Sequence, residues 1–233
     1  MESSIEITYI LDLSKTIAAD LFKETQYPWQ VLPKIQSFIL SLGKNLSSDK
    51  YIFKNDIWLA KNAKVANSAQ IYGPTIIDEN AEIRPGAFIR GNVIVGAGSV
   101  VGNSTELKNA ILFDKVQVPH YNYVGDSILG YKAHLGAGAI TSNVKSDGEK
   151  IVIHAKNDIK TGLKKLGAIL GDCVEIGCNA VLNPGTIIGR NSTIYPLSSV
   201  RGVIPENHIY KSSSCIIPKN KIHDSLTISK FMV

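Results

Sequence analysis

Residues 58–113 read WLAKNA KVANSA QIYGPT IIDENA EIRPGA FIRGNV IVGAGS VVGNST ELKNAI LF. In this frame the second position of each six is Leu59, Val65, Ile71, Ile77, Ile83, Ile89, Val95, Val101, Leu107 and Phe113, all apolar. With 44% of the chain hydrophobic, one fixed frame would do this by chance roughly 3 times in 10,000. The sixth position is small or β-branched in most units (Ala63, Ala69, Thr75, Ala81, Ala87, Val93, Ser99, Thr105), and Gly, Asn and Asp fill the positions between. The phase returns at Leu170, Ile176, Leu182, Ile188, Ile194 and Val200, with Leu129 and Leu135 as a short middle segment. It breaks between Phe113 and Leu129 and between Leu135 and Leu170.

A period of six is neither the helical 3.6 nor the strand's 2. Each six gives a short strand and a tight turn, and three close one triangular coil of 18 residues. The large residue points inward onto its equivalent in the next coil, and small residues sit where backbones crowd. The expected fold is all-β, a parallel β-helix solenoid of hexapeptide repeats. Residues 1–55 lack the repeat. There Ser14 is placed to cap a helix through Ile17, Leu21 and Phe22, and Trp29, Leu32, Ile35, Phe38 and Ile39 follow helical spacing from Pro28 to Leu42, with Gly43 as a stop. This helical cap is expected to cover the open first coil; the alternative is a partner- or substrate-specific module. The expected division is a cap over 1–55, a β-helix over 56–213 with an insertion at 142–168, and a tail over 214–233. The tail holds Ile216, Ile217, Ile222 and Leu226 and reads as a closing strand or an arm to a neighbouring chain.

The first phase break carries VPHYNYVGDS, with His120, Tyr121, Asn122, Tyr123 and Asp126, preceded by GNSTELKNA. Glu106 and Lys108 alternate along a strand and so share a face. Arg90 lies one 18-residue coil before Lys108, which stacks the two cations. Two stacked cations, a carboxylate and a nearby histidine suit a phosphate cradle with a candidate base; the plainer reading is a solvated outer face. Of five histidines, Pro119, the flanking tyrosines and the phase break single out His120; His134 is placed to line a groove. The insertion has six lysines and three acids, which suits equally a solvated loop and a flap carrying Lys164 or Lys165 to a phosphate.

The stretch from Ile57 to Ser213 resembles the C-terminal acetyltransferase domain of the bifunctional N-acetylglucosamine-1-phosphate uridylyltransferase / glucosamine-1-phosphate acetyltransferase family, above all its archaeal-type sugar-1-phosphate members. The segments that carry the resemblance are GNSTELKNAIL, PHYNYVGDS, HLGAGAITSN and KKLGAILGD. The resemblance implies a homotrimer of left-handed β-helices, with acetyl-CoA in the groove between two subunits. It implies His120 as general base, with Glu106 orienting it. Arg90 and Lys108 would bind phosphate, Tyr123 and Asn143 the sugar, and Lys165 would come from an adjacent subunit. Ala137 would offer its backbone to the thioester. Cys178 and Pro196 stand where the family has a serine and a small residue beside the cofactor, and His134 where it has an asparagine. The family's C-terminal cofactor-binding arginine falls on Ser213, with Lys211 nearby.

These types fit the chemistry. An amine must be neutral to attack a thioester, and a histidine can take its proton. A carboxylate fixes the tautomer and favours the imidazolium. Arg and Lys anchor the phosphate and so position the amine. Amide donors in the G-A-G turn suit the tetrahedral intermediate. No GxGTR-type loop precedes the helical segment, so uridylyl transfer by this chain is not expected; a separate nucleotidyltransferase stands as a candidate partner.

The chain has 233 residues, a net charge of +5 and three cysteines. Mean hydropathy is +0.06. The apolar fraction excludes disorder for most of the chain. The charge excess is mild and not interleaved with aromatics, which points away from nucleic acid and suits an anionic small molecule. No apolar run reaches membrane-spanning length, and the early acids of the N-terminus do not fit a secretory signal. Three cysteines do not make a disulfide framework, and the Cys173–Cys178 spacing is not a zinc ribbon. A reduced cytoplasmic protein with no metal is expected. The competing readings are a non-catalytic sugar-phosphate-binding or assembly module and, more remotely, a metal-dependent hydratase with three converging histidines.

Overall fold

The computed structural model describes residues 5–219. It is a solenoid of stacked parallel coils with three faces, and three ladders of inward side chains run its length. On the first face the ladder is Leu59, Ile77, Val95, Leu112, Leu129, Leu170, Ile188 and Ile204. On the second it is Ile71, Ile89, Leu107, Val124, Thr141, Leu182 and Val200. On the third it includes Val65, Ile83, Val101 and Val118, then Leu135, Ile176, Ile194 and Tyr210. The hexad expectation holds, with one correction. Leu112, not Phe113, pairs with Val95. Phe113 lies past the end of the strand Glu106–Leu112 and packs edge-on against Phe22, ring centroids 5.8 Å apart.

The reason is a shortened edge. Gly91 and Asn92 turn the chain from the second face to the first. In the next two coils the same turn is made with a single left-handed residue, Asn109 (φ 49°) and Asp126 (φ 47°). Two coils therefore hold 17 residues, as the pairings Leu107 with Val124 and Val124 with Thr141 record. That lost residue in each coil is what breaks the phase. The strands Glu106–Leu112 and Tyr123–Leu129 run continuously around this edge, joining two faces into one sheet.

The faces differ in what they turn outward. On the second and third faces most strands pair one buried with one exposed or half-exposed residue. On the first, Thr75–Ile77, Val93–Val95, Ala168–Leu170 and Thr186–Ile188 are buried throughout. Their outward middle residues, with Ile111 and Ile128 in the coils between, are at most 1% exposed. A strand covered on both sides needs no polar alternation.

The cover is the N-terminal segment. The expected helix over Pro28–Leu42 is a 3-10 stretch, Pro28–Lys34, with Pro33 inside it, followed by an α-helix, Ile35–Gly43. Ser14 caps no helix; Asp12 accepts its N–H and caps a short turn, Leu13–Lys15. The α-helix packs on Thr75–Ile77, Val93–Val95 and Glu106–Leu112, and the 3-10 stretch on Tyr123–Leu129. Near its start the segment is tied to the upper coils, where Asp172 Oδ2 accepts Asp12 N–H at 2.8 Å and Ile10 O accepts Asp172 N–H at 3.1 Å. It is a strap along the flank rather than a lid on the first coil, because the outward isoleucines need apolar cover. The first coil is closed instead by Tyr51–Lys54, antiparallel to Ile57–Ala60.

The insertion forms a hairpin, Val152–His154 with Asp158–Lys160. Ile151 and Ile153 are buried and lie against Gly185, where a Cβ would meet Ile151 Cγ2 at 2.7 Å. The insertion is thus seated on its own solenoid. At the other end Cys215–Pro218 pairs antiparallel with His208–Ser212, the closing-strand form of the expected tail. Ile222 and Leu226 fall outside the described residues.

Candidate functional site

The edge between the third and second faces is a row of backbone turns. Ser104 N–H reaches Pro85 O (3.4 Å), Tyr121 N–H Asn103 O (2.9 Å), Gly138 N–H His120 O (3.0 Å), Asn179 N–H Ala137 O (2.8 Å) and Leu197 N–H Cys178 O (2.9 Å). Each donor is in the left-handed region, φ 52° to 72°. His120, Ala137, Cys178 and Pro196 therefore stand one above another, a coil apart, at about 4.8 Å per step. His120, Cys178 and Pro196 are exposed and Ala137 half-exposed. Ala137 N–H has no hydrogen-bond partner among the described residues. Lys211 continues this side, its Nζ 5.6 Å from the Tyr195 ring centroid.

Around the edge, the second face carries the charges. Leu107 pairs with Ile89, and Arg90 N–H bonds Leu107 O at 2.9 Å, so Arg90 and Lys108 stack as the coil length required. Arg90 Nη1 donates to Glu106 Oε1 at 2.7 Å. Lys108 Nζ lies 3.1 and 3.0 Å from the two oxygens of Asp126, a carboxylate only 4% exposed. Asn109 Nδ2 and Asn143 Nδ2 donate to the same carboxylate at 2.9 and 2.5 Å. Asn143 Nδ2 also reaches Tyr123 Oη at 3.3 Å. Burial, with the Asp126 and Glu106 charges beside it, pushes the Tyr123 hydroxyl up, so it stays a donor at neutral pH.

A Cβ on Gly125 would meet Tyr123 Oη at 2.5 Å and Asn143 Nδ2 at 2.9 Å. The bare glycine is the hollow that lets the Tyr123 side chain and Asn143 close over Lys108's neighbour in the ladder.

The structure brings together Arg90, Glu106, Lys108, Tyr123 and Asn143 on one face, and His120, Ala137, Cys178 and Pro196 on the adjoining edge. It does not join Glu106 to His120. Glu106 is engaged by Arg90, while His120 ends a third-face strand, with Tyr121 and Asn122 turning the corner between them. Among the described residues the His120 ring has no hydrogen-bond partner; its backbone N–H bonds Asn122 Oδ1 at 3.2 Å. Lys165 is exposed, and its neighbour Leu166 donates to Asn143 O at 3.0 Å. His134 Nδ1 sits 2.7 Å from Glu175 Oε2 on the third face. The sequence places Asp126 in the phase break without a role and does not single out Asn109; the signal for both is the unit one residue short, LKNAIL and VGDSIL against IRGNVIV. Among the described residues no three His, Cys, Asp or Glu side chains are grouped to hold a metal. Among the described residues no helix is long and apolar enough to cross a membrane.

Three-faced hexapeptide coils with a histidine on one edge and paired cations on the next face define a protein of the hexapeptide-repeat solenoid class. Residues 71–164 match the family model described as the GMPPB C-terminal domain. The bifunctional protein GlmU of Methanococcus maripaludis is 31% identical over 214 residues, covering 84% of this chain and 48% of that protein. A bifunctional sugar-1-phosphate nucleotidylyltransferase/acetyltransferase of Sulfurisphaera tokodaii is 27% identical over 198 residues, covering 76% of this chain and 49% of the relative. A crystal structure of the polySia specific acetyltransferase NeuO matches with TM-score 0.48 and 15% identity, over 77% of this chain and 93% of that one. Over most of its length the chain is thus similar to GlmU-type proteins, as its motifs implied, and it spans about half the length of these curated relatives.

Proposed function

We propose that the protein is an acetyl-CoA-dependent N-acetyltransferase acting on an amino-sugar phosphate, most simply glucosamine 1-phosphate, and that it works as a cytoplasmic homotrimer. The observation that carries this reading is the stacked edge. It puts the candidate base in one row with Ala137, Cys178 and Pro196, and turns directly onto the face of Arg90 and Lys108. The phosphate is bound by those two cations in competition with Glu106 and Asp126. Tyr123 and Asn143 meet the sugar, and Lys165 of an adjacent subunit closes over it. The neutral amine attacks the thioester carbonyl and the His120 imidazole takes the proton lost as the amide forms. The Ala137 N–H meets the oxygen that becomes negative, and the thiolate of CoA leaves with a proton. Cys178, Pro196 and Lys211 flank the cofactor.

The test is thiol release from acetyl-CoA in the presence of glucosamine 1-phosphate. His120→Ala should lower the rate about 10²- to 10⁴-fold; a near wild-type rate removes the mechanism. The ion pairs Arg90–Glu106 and Lys108–Asp126 favour a second reading, a non-catalytic sugar-phosphate-binding or assembly module in which the phosphate merely displaces a carboxylate. That reading requires sugar-phosphate binding without acetyl-CoA binding.

A further inference from the structure

We propose that the edge between the first and third faces, remote from His120, binds the diphosphate group of a small molecule between Lys15, Lys115 and Lys132. A cavity of about 400 Å³ opens there, lined by Lys15, Asn80, Ala97, Gly98, Asp114, Lys115 and Tyr131, a volume within the range of small-molecule sites; Lys132 is outside that lining and joins the group through the Tyr131 ring. The three ammonium groups lie 5.6, 6.0 and 5.2 Å from the centroid of the Tyr131 ring. None has a carboxylate within ion-pair distance among the described residues. Like charges gathered round one ring repel, and an anion seated among them removes that cost.

The lysines stand in unusual places. At this edge each coil turns through a left-handed residue, and the row reads Asn80, Gly98, Lys115, Lys132, Cys173, Asn191, Asn207. Asparagine and glycine suit that conformation, and a long side chain gains nothing there from the backbone. Two successive coils nevertheless present a lysine. Between them and the coil below, Gly98 keeps the mouth open, since a Cβ there meets only Lys115 Cγ, at 3.6 Å. Asp114 is the acid of the site. One of its oxygens accepts Ala97 N–H at 3.0 Å, so part of its charge is already met by the backbone, and burial pushes its carboxyl up.

Lysine ammoniums are compact point charges suited to phosphate oxygens, and three of them match a diphosphate better than a single monoanion. Tyr131 offers its ring to the rest of the molecule if that is aromatic. Lys15 belongs to the strap, and its C=O accepts Asp114 N–H at 2.9 Å. A ligand bridging Lys15 to Lys115 and Lys132 therefore fastens strap to solenoid.

The experiment is calorimetric titration of the whole protein with pyrophosphate, ADP and adenosine, at two salt concentrations. Wild type and the Arg90→Ala/Lys108→Ala protein should bind pyrophosphate alike, within twofold, and more weakly at higher salt. Lys115→Ala/Lys132→Ala should weaken that site at least tenfold, and adenosine should not bind it. Tighter binding of ADP, erased by Tyr131→Ala, assigns a nucleoside diphosphate; equal binding assigns the free anion. Gly98→Asn, which tolerates the left-handed turn and fills the mouth, must weaken binding without removing a charge, and decides the matter if the double-lysine variant does not fold. No pyrophosphate binding by wild type, or binding lost with Arg90 and Lys108 and kept without Lys115 and Lys132, overturns the proposal.

Discussion

The first and second faces are made from the same hexads, with equivalent inward ladders, yet they do opposite things. The first turns isoleucine outward in coil after coil and is sealed under the strap. The second turns outward Arg90, Glu106, Lys108 and Tyr123, and no apolar segment among the described residues covers them. The inward residue makes the coil; the outward residue decides whether a face becomes core or site.

The contrast breaks most visibly where a charge is placed under the strap. Ile94→Asp buries a carboxylate beneath the Ile35–Gly43 helix and should cost more than about 4 kcal/mol, read as loss of cooperative thermal unfolding. Ser199→Asp, outward and exposed on the second face, should stay within about 0.5 kcal/mol in the same melt. Next in size is Asp126→Ala. It strands Lys108, Asn109 and Asn143 without their shared acceptor and should cost about 1–3 kcal/mol in denaturant unfolding, with sugar-phosphate affinity changing too. An unchanged midpoint would mean that the shortened edge is held by backbone alone. Gly125→Ala should displace Tyr123 and Asn143, raising KM for the sugar phosphate more than it lowers kcat, with stability changed by about 1 kcal/mol. A fall in kcat at constant KM would contradict the hollow. The smallest effect is in thiol labelling at pH 8. Cys178 is exposed, whereas burial pushes the Cys173 thiol up, so Cys178 should react first. Acetyl-CoA should slow Cys178 and leave Cys173 unchanged; equal protection of both would take Cys178 out of the cofactor row.

The period of six was enough to read the solenoid, because every coil repeats the same packing decision at Leu59, Ile77 and their successors. Arg90 under Lys108 followed from the 18-residue coil alone. What a fixed period of six hides is where one residue drops out. Single-residue turns at Asn109 and Asp126 keep the ladder intact in space while shifting it along the chain, so Phe113 looked in phase and Leu112 was. The strap was misplaced for a related reason. Helical spacing shows that Ile35 and Ile39 need a partner, but not which surface supplies it. The triplets Thr75–Ile77 and Val93–Val95 carried that information, as strands with no polar alternation.

The hairpin inserted after Asn143 has a consequence for how the molecule assembles. Leu112 and Leu129 are ladder neighbours 17 residues apart, whereas Leu129 and Leu170 are neighbours separated by 41. By the logarithmic cost of closing a chain, the longer span adds about 0.8 kcal/mol to forming that one rung. Elsewhere each coil propagates from the one before it, in the manner of a one-dimensional lattice. At this rung the growing stack meets its steepest entropic step. The coils below Leu129 and those above Leu170 therefore meet across the longest stretch of chain that any neighbouring rungs enclose, with the Asp126 turn, whose C=O receives Gly167 N–H at 2.8 Å, at the seam.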